Sequence, residues 1–495
     1  MKFKVTFIGA GSIGFTRNLL ADLMSVPEFK GELDIWLMDI NRQNLDMVTQ
    51  LCRRDMAENG VDCKIHATLD RREALAGAKY VICCARIGCL EGFITDVDIP
   101  LKYGVDQCVG DTLCVGGIMY GQRGIAQMLE FCKDMREVSH PDVLLLNYSN
   151  PNAMMTWAAN KYGKIPTVGL CHGVMGGERQ IAEVLKIPRK ELDFICAGIN
   201  HQTWYIQIKH HGRVIDGDEL LAAYESNEQI SEKEKVRIDM LRRFGYYSTE
   251  SNGHLSEYLA WYRKRPGEIM DWISLDSWSS GETGGYLRVC LEGRNWFETD
   301  FPNWLKAPAK KYDGTMRGEE HGSYIIEGLE TGRRYRGHFN VVNNNCITNL
   351  AEDCIVEVPC YVDGNGISVP RIGDLPLGCA AVCAQSVWVQ RLAVEAAVHG
   401  DVKLLKQAAL MDPLTGAVCN PPEVWQMVDE MLIAQEQWLP QYSQAITAAK
   451  ERFAKGNLLP TKDGYQGAAR LHVKNIDELS EQKTKSTQNA QLSAK

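Results

Sequence analysis

The chain has 495 residues, of which 45% are apolar and 24% are charged, and its formal net charge is −9. This length exceeds what one hydrophobic core serves, so we expect two large domains, or one elaborated α/β domain with a companion. The negative charge, without a cluster of Lys or Arg, excludes a nucleic-acid or anionic membrane surface as the natural partner. We therefore expect the partner to be a small molecule.

The cysteine content and the N-terminal sequence indicate the reducing cytoplasm. The chain has 17 cysteines. The first predicted strand begins at residue 3, which leaves no room for a signal peptide, and we expect no apolar run of membrane-spanning length. Most of the cysteines are therefore interpreted as buried thiols rather than as disulfides.

Short apolar runs alternate with helical patterns along the first 170 residues. The predicted strands are Val5–Ile8, Leu33–Met38, Tyr80–Ala85, Val143–Leu146 and Thr167–Leu170, and the predicted helices are Phe15–Met24, Asn41–Met56, Gly124–Val138 and Asn152–Tyr162. This alternation predicts an α/β fold with a Rossmann-like, doubly wound parallel sheet. We place this domain at residues 1–195, a C-terminal α+β domain at 196–458, and a polar, loosely packed tail at 459–495.

A glycine turn follows the first strand and has the spacing of a dinucleotide site. Its residues are Gly9, Ala10, Gly11, Ser12, Ile13 and Gly14, and an acidic residue, Asp39, closes the second strand 25 residues after Gly14. Glycine lets the backbone approach a pyrophosphate, and the following helix directs free N–H groups at it. A carboxylate at Asp39 accepts hydrogen bonds from the ribose hydroxyls and repels a 2′-phosphate, so the cofactor predicted is NAD.

Polar residues also follow the later strands, and the carboxyl ends of parallel strands meet at one edge of the sheet. Cys171 and His172 follow the strand Thr167–Leu170, and His201 comes 30 residues after Cys171. A thiolate and an imidazole from different loops can bind a divalent metal and leave positions open for substrate. A buried cysteine with a satisfied histidine is the alternative, and spacing alone does not decide between them.

At these residues the sequence resembles glycoside hydrolase family 4, and within it the α-galactosidase-like branch. The resemblance covers roughly residues 3 to 440 in order. The motifs that carry it are 7–12, 37–40, 111–113, 116–119, 147–151, 168–172, 196–201, 250–258, 356–363, 366–367 and 373–376.

The resemblance implies a glycosidase that uses NAD and Mn²⁺ and departs from the usual pair of carboxylates. Hydride leaves C3 of the sugar for NAD⁺, and the ketone acidifies the proton on C2. A base removes that proton, the glycosidic oxygen leaves C1, water adds, and hydride returns. A metal on the O2 and O3 oxygens would act as a Lewis acid.

By position, the resemblance assigns Cys171 and His201 as metal ligands and Asn150 as a ligand of the sugar hydroxyls. His172 would face the glycosidic oxygen or the O2 region, as a general acid or as a neighbour of the metal ligands. Asp111 would contact the sugar or the catalytic loop. Without the resemblance, Asn150 and Asp111 are equally well interpreted as turn or capping residues.

The C2 base falls in the segment from Glu250 to Tyr258. His254, Glu257 and Tyr258 are the candidates, and we favour Tyr258 with His254 second, because a nearby cation can support a tyrosinate.

Four residues, at three places in the sequence, depart from the family pattern. Cys114 and Val115 stand where Gly-Pro is expected, Tyr120 replaces a common arginine, and Gly173 replaces the serine of a Cys-His-Ser-Val motif. Phosphoglycosidase branches carry Asp or Asn after the cysteine, so His172 predicts an unphosphorylated substrate.

The favoured function is an α-galactosidase, with an α-glucosidase or α-glucuronidase of the same family as alternatives. An NAD-dependent 2-hydroxy acid dehydrogenase and a non-enzymatic NAD-sensing protein share the expected fold and remain open. We also expect a homo-oligomer, either a dimer or a tetramer.

Overall fold

The structure is a computed structural model that describes residues 3–462 and 464–493. Its strands are β1 Phe3–Ile8, β2 Leu33–Met38, β3 Ile65–Thr68, β4 Tyr80–Cys83, β5 Leu144–Asn147, β6 Thr167–Leu170, β7 Leu192–Ile199, β8 Gln202–His210, β9 Arg213–Val214, β10 Tyr335–Val342, β11 Ile355–Asp363 and β12 Gly366–Ser368. Its α-helices are α1 Ile13–Met24, α2 Arg42–Glu58, α3 Arg71–Leu75, α4 Cys89–Lys102, α5 Cys114–Val138, α6 Asn152–Lys161, α7 Gly173–Leu185, α8 Gly217–Glu225, α9 Glu228–Lys233, α10 Lys235–Phe244, α11 Asn252–Tyr258, α12 Ile269–Trp272, α13 Gly285–Lys306, α14 His321–Thr331, α15 Leu377–His399, α16 Val402–Met411, α17 Pro413–Val418, α18 Pro421–Ala434, α19 Ser443–Ala454 and α20 Ile476–Ser493.

Six parallel strands form one half of the sheet, in the order β3-β2-β1-β4-β5-β6. This order is that of dinucleotide-binding folds, in which ligands lie beyond the carboxyl ends of the central strands. Helices cover both faces, so these strands are almost continuously apolar, and all four residues of β4 are buried. The predicted α/β, doubly wound fold class is therefore confirmed.

The same sheet continues through antiparallel strands, in the order β6-β10-β11-β7-β8-β9. Leu170 of β6 pairs with Phe339 of β10, and Gly198 of β7 pairs with Glu357 of β11. The chain that follows β6 thus lies near the β7–β8 hairpin. A domain boundary at residue 195 stays a prediction, since one sheet spans it.

Helix α5 begins ten residues before the predicted helix start at Gly124. Its first turns contain glycines, which weaken the helical pattern. A Cβ on Gly117 would lie 2.5 Å from the carbonyl carbon of Thr112. The glycine therefore allows the preceding loop, which carries Asp111, to pack directly on the helix.

One helix corrects the expectation of no membrane-length apolar run. Among the described residues, α15 is long and apolar enough to span a membrane by length and composition, and half of its most apolar window is buried inside the protein. It packs against α5, α6 and α16, which accounts for much of its apolar composition.

The polar tail is more ordered than we expected. The backbone N–H groups of Ala468 and Ala469 donate to Asp106 Oδ2 (3.2 Å) and Thr283 Oγ1 (3.3 Å), and α20 packs on α13. Asp106 and Thr283 are fully buried. Contacts with the rest of the protein therefore supply the order that the tail's own composition does not.

Candidate active site

The glycine turn after β1 lies against the backbone that follows β4. Gly9 has φ +84°, and a Cβ there would lie 2.7 Å from the amide nitrogen of Ala85. The Gly11 N–H donates to Asp39 Oδ2 (2.7 Å) and the Asn41 N–H donates to Asp39 Oδ1 (2.8 Å). The turn needs glycine at Gly9, and the backbone fixes the Asp39 carboxylate beside it.

The turn leads into the N-terminus of α1, which has no side-chain cap. Ser12 occupies the N-cap position but makes no capping hydrogen bond. A Cβ on Gly14 would meet no protein atom within 4 Å. The N–H groups after Ser12, including that of Ile13, are thus uncapped, beside open space, as binding of a dinucleotide pyrophosphate requires.

Three side chains with metal-binding atoms converge beyond the carboxyl end of β6. Cys171 follows β6, His201 occupies the two-residue turn between β7 and β8, and Glu250 precedes α11. His201 has φ +62°, the left-handed conformation that such hairpin turns use. Sheet pairing and turn geometry together bring the predicted pair Cys171 and His201 to one place.

The ligand atoms of this cluster all lie within 4.8 Å of one another. Cys171 Sγ lies 3.3 Å from Glu250 Oε2, and His201 Nε2 lies 3.9 Å from the same oxygen. Thiolate, imidazole and carboxylate form a donor set that divalent transition metals accept. Glu250 was not predicted as a metal ligand, because nothing in its local sequence pattern distinguishes it from a surface carboxylate.

Gly173, one of the departures from the family pattern, lies against this carboxylate. A Cβ on Gly173 would lie 1.8 Å from Glu250 Oε2. The Gly173 N–H donates to Cys171 Sγ (3.4 Å). Glycine at this position therefore lets Glu250 reach the cysteine.

Burial and neighbouring charges shift the pKa values of the carboxylate and the thiol of the cluster in opposite directions. Burial raises the pKa of Glu250, but the imidazoles of His201, His254 and His172 outweigh it and lower the pKa to about 2. Burial and the Glu250 charge raise the pKa of the Cys171 thiol well above its usual value. A cation bound beside Cys171 would stabilise its thiolate form.

Hydrogen bonds select one tautomer of His201. The Thr112 hydroxyl donates to Asp111 Oδ1 (2.8 Å) and lies 3.2 Å from His201 Nδ1. The only proton of the Thr112 hydroxyl is donated to Asp111, so the hydroxyl accepts a hydrogen bond from Nδ1–H of His201. This tautomer leaves Nε2 of His201 free to bind a metal. Asn150 donates to Asp111 Oδ2 (2.9 Å), so the predicted residues Asp111, Asn150 and His201 belong to one network.

Helix α11 separates the three candidates for the C2 base. His254 and Tyr258 are four residues apart and share a face, which is directed at His201. The Tyr258 hydroxyl lies 3.5 Å from His201 Nδ1, and Ser251 Oγ lies 2.7 Å from His254 Nδ1. Burial raises the pKa of Tyr258 well above 10 and lowers that of His254 to about 3.

Glu257 lies on a different side of α11 and binds backbone. Its carboxylate accepts the N–H groups of Cys108 (2.6 Å), Val109 (2.8 Å) and Gly110 (3.1 Å). Burial raises its pKa to about 7. Glu257 thus fixes the loop that leads to Asp111, and both carboxylate oxygens are already engaged.

His172 lies at the mouth of the site, with its side chain 56% exposed and Nδ1 3.8 Å from Glu320 Oε1. Another departure, Tyr120, is buried beside Arg86, which follows β4 and donates to the Tyr286 hydroxyl (3.2 Å). Arg86 thus places a guanidinium group beside residue 120, the position at which the family pattern has an arginine. Arg86 and Tyr286 were not predicted as site residues, because only the fold brings them to Tyr120.

Comparisons with known proteins find relatives that match most of the length of this chain. Residues 4–187 match the model of family 4 glycosyl hydrolases, and residues 196–415 match the model of the family 4 glycosyl hydrolase C-terminal domain. An α-galactosidase of Rhizobium meliloti is 55% identical over 97% of this chain and 98% of that protein. An α-galactosidase of Bacillus subtilis is 32% identical over 89% of this chain and 99% of that protein.

Solved structures share the fold. A 6-phospho-α-glucosidase from gut microorganisms, in complex with NAD and glucose-6-phosphate, has a TM-score of 0.73 at 22% identity and covers 89% of this chain and 99% of its own. The 6-phospho-β-glucosidase of Thermotoga maritima, with manganese, NAD⁺ and glucose-6-phosphate, has a TM-score of 0.71 at 22% identity, covering 88% and 99%. The family models and the two α-galactosidases confirm the expected glycosidase over the dehydrogenase and NAD-sensing alternatives. This chain belongs to family 4 of the glycosyl hydrolases.

Proposed function

We propose that this chain is an NAD-dependent α-galactosidase that also requires Mn²⁺. The observation that carries the proposal is the placement of two sites at one edge of the sheet. The glycine turn follows β1, and the cluster of Cys171, His201 and Glu250 begins at the end of the parallel strand β6. A glycosidase that cleaved its substrate by direct displacement at C1 would need neither.

The residues present fit NAD. Gly9 and Gly11 keep the turn close to backbone and to Asp39, and the uncapped start of α1 offers its N–H groups to the phosphates. Asp39 would accept the ribose hydroxyls. Bound there, NAD⁺ supplies a reversible acceptor of hydride.

The residues present also fit Mn²⁺. Cys171, His201 and Glu250 would hold it, with the Nδ1–H of His201 directed at Thr112 so that Nε2 is free. Three protein ligands leave other positions for sugar oxygens. The ion supplies Lewis acidity to those oxygens.

The remaining residues act on the sugar itself. Asn150 and Asp111, which bond one another, would orient its hydroxyl groups. Tyr258 would remove the C2 proton, because its hydroxyl is buried on the helix face directed at His201 and Glu257 is engaged by backbone. Positive charge bound at His201 would lower the pKa of this phenol toward the working range.

The substrate is proposed to be an unphosphorylated α-galactoside. Two α-galactosidases are among the similar proteins, one at 55% identity. The charged groups around His172 include the carboxylates of Glu320 and Glu250, which would repel a sugar phosphate.

The test is a panel of aryl glycosides assayed with NAD⁺, Mn²⁺ and a thiol reductant. We expect kcat/KM for the α-galactoside to exceed that for the α-glucoside, the α-glucuronide and the 6-phosphorylated α-galactoside by about tenfold or more. Preference for any of the other three would contradict the proposed substrate.

We further propose a homo-oligomer that uses the outer face of α15. Leu377 is 84% exposed and Trp388 is 55% exposed, and the two lie on one face, three turns apart. A second copy would cover these apolar side chains. Light scattering should give a multiple of the 55.5 kDa chain mass, and Trp388→Glu should lower it. A monomeric parent protein would contradict this.

The compartment is proposed to be the cytoplasm. All 17 cysteines of the sequence lie in the described part of the chain and are free thiols there. A reducing compartment preserves such thiols, including the metal-binding Cys171. Fractionation of the source cells should place the activity in the soluble cytoplasmic fraction, and recovery outside the cytoplasm would contradict this.

A further inference from the structure

A second group of metal-binding side chains lies at the opposite end of β8 from His201. Strand β8 ends at His210, and the loop that joins it to β9 consists of His211 and Gly212, with His210 paired to Arg213. His211 has φ +49° and Gly212 has φ +80°. Two positive φ values in a two-residue loop define a hairpin turn that favours Asn or Gly, and histidine is an uncommon occupant.

The turn brings the two imidazoles together. Successive side chains of a regular strand point to opposite faces, but the left-handed conformation of His211 breaks this alternation. The ring centroids of His210 and His211 are 4.2 Å apart.

The pairing of β7 with β8 supplies the third group. Leu192 pairs with His210, so Glu191, which immediately precedes β7, is carried to the hairpin. Its Oε2 lies 3.3 Å from His210 Nε2 and 3.3 Å from His211 Nε2. The three ligand atoms lie within 4.8 Å of one another.

We propose that Glu191, His210 and His211 form a second metal site, which binds a divalent transition metal ion of the Zn²⁺ class. Ligands at roughly 2.0–2.1 Å from a tetrahedral ion are about 3.3 Å apart, which matches both distances to the carboxylate oxygen. The His211 side chain is 71% exposed, so water can complete the coordination. Imidazole ligands favour Zn²⁺, Ni²⁺ or Cu²⁺ over Mn²⁺ and Mg²⁺.

This site is separate from the candidate active site. Strand β8 spans Gln202–His210, which at about 3.3 Å per residue places its two ends roughly 26 Å apart. A metal at the hairpin therefore touches no residue to which we assign a role in glycoside cleavage. Binding at the two sites can be measured independently.

The test compares the number of Zn²⁺ ions retained after dialysis by the full-length protein and by the double variant His210→Gln/His211→Asn. Asparagine tolerates the left-handed position, so the turn is kept while the imidazole is removed. We expect the double variant to retain one equivalent of Zn²⁺ fewer, and the single variant Glu191→Gln to bind that equivalent more weakly. Equal stoichiometry in the parent and the double variant would overturn the proposal.

Two controls separate this site from other metal binding. His66→Ala removes a partly exposed histidine whose Nε2 lies 3.5 Å from one carboxylate, that of Asp34, and it should leave Zn²⁺ stoichiometry unchanged. With Mn²⁺ in place of Zn²⁺, the double variant should retain as much metal as the parent protein and cleave the aryl α-galactoside at the same rate. A loss of Mn²⁺ or of activity would show that the hairpin acts on the active site, and would overturn the proposal of a separate site.

Discussion

Glu250 completes the cluster at the end of β6, and Gly173 leaves room for it. We expect Glu250→Gln to weaken Mn²⁺ binding by at least about tenfold, because it removes the charged ligand. Calorimetric titration measures this. The matched control is Glu395→Gln, which removes a carboxylate 2.9 Å from Lys161 on α6 and should leave the affinity unchanged. Equal Mn²⁺ affinity in the Glu250 variant and the parent would remove Glu250 from the metal site.

Tyr258 is the proposed base at C2. Turnover in D₂O should place deuterium on C2 of the released sugar. We expect Tyr258→Phe to abolish this exchange and to reduce kcat by about 10²- to 10⁴-fold, while Mn²⁺ affinity stays within about threefold of the parent value. His254→Gln is the comparison, since His254 lies on the same helix face. Exchange that survives in the Tyr258 variant and is lost in the His254 variant would assign the base to His254.

Buried His321 makes the stability of the protein depend on pH. Burial lowers its pKa to about 4, and its Nδ1 lies 2.6 Å from the Tyr335 hydroxyl. Between pH 6.5 and 4 the unfolded chain binds a proton there and the folded chain does not, so stability falls as the pH falls through this window. Urea unfolding should show that His321→Gln loses about 2 to 3 kcal/mol less than the parent between pH 7 and pH 4. An equal loss in both proteins would contradict this.

At the scale of elements, the C-terminal segment fastens the loop that carries Asp111. The loop Cys108–Gly110 bonds to Glu257, and buried Asp106 just before it pairs with Arg263 and accepts from the Ala468 N–H. We expect a chain ending at residue 460 to show faster hydrogen exchange in residues 106–112 and to lose activity.

A chain ending at residue 475 is the matched control for that truncation. It lacks α20 but keeps the contacts of Ala468 and Ala469. It should retain slow exchange in the loop and most of the activity. Fast exchange in both truncated chains would show that α20, rather than the segment before it, holds the loop.

Local sequence pattern predicted five of the six parallel strands, all but β3, and the glycine turn, because apolar runs and glycine spacing are local signals. The family resemblance supplied the assignment of Cys171 and His201. Helix α5 was predicted ten residues too short, since glycines in its first turns are required by tertiary contact rather than by helix propensity. The roles of Glu250 and Arg86 were not assigned from the sequence, because their partners are distant along the chain and only the fold brings them together.

At the scale of the whole molecule, one sheet joins the proposed NAD site to the proposed metal site of Cys171, His201 and Glu250. Its parallel half has the strand order 3-2-1-4-5-6 and places the glycine turn and Asp39 at its carboxyl edge. Its antiparallel half returns through β10, β11 and β7, and so brings His201 to Cys171. In the proposed function, this architecture would place the hydride acceptor and the Lewis acid at the same edge of the sheet.

The most direct test of this account is the stoichiometry of NAD. Protein stripped of nucleotide and resupplied with Mn²⁺ and one equivalent of NAD⁺ should cleave many equivalents of an aryl α-galactoside, while the absorbance of free NADH stays flat. The stripped protein without NAD⁺ should be inactive, because hydride must leave C3 before the glycosidic bond breaks and then return. Undiminished cleavage without NAD⁺, or one NADH accumulated for each sugar consumed, would contradict the account.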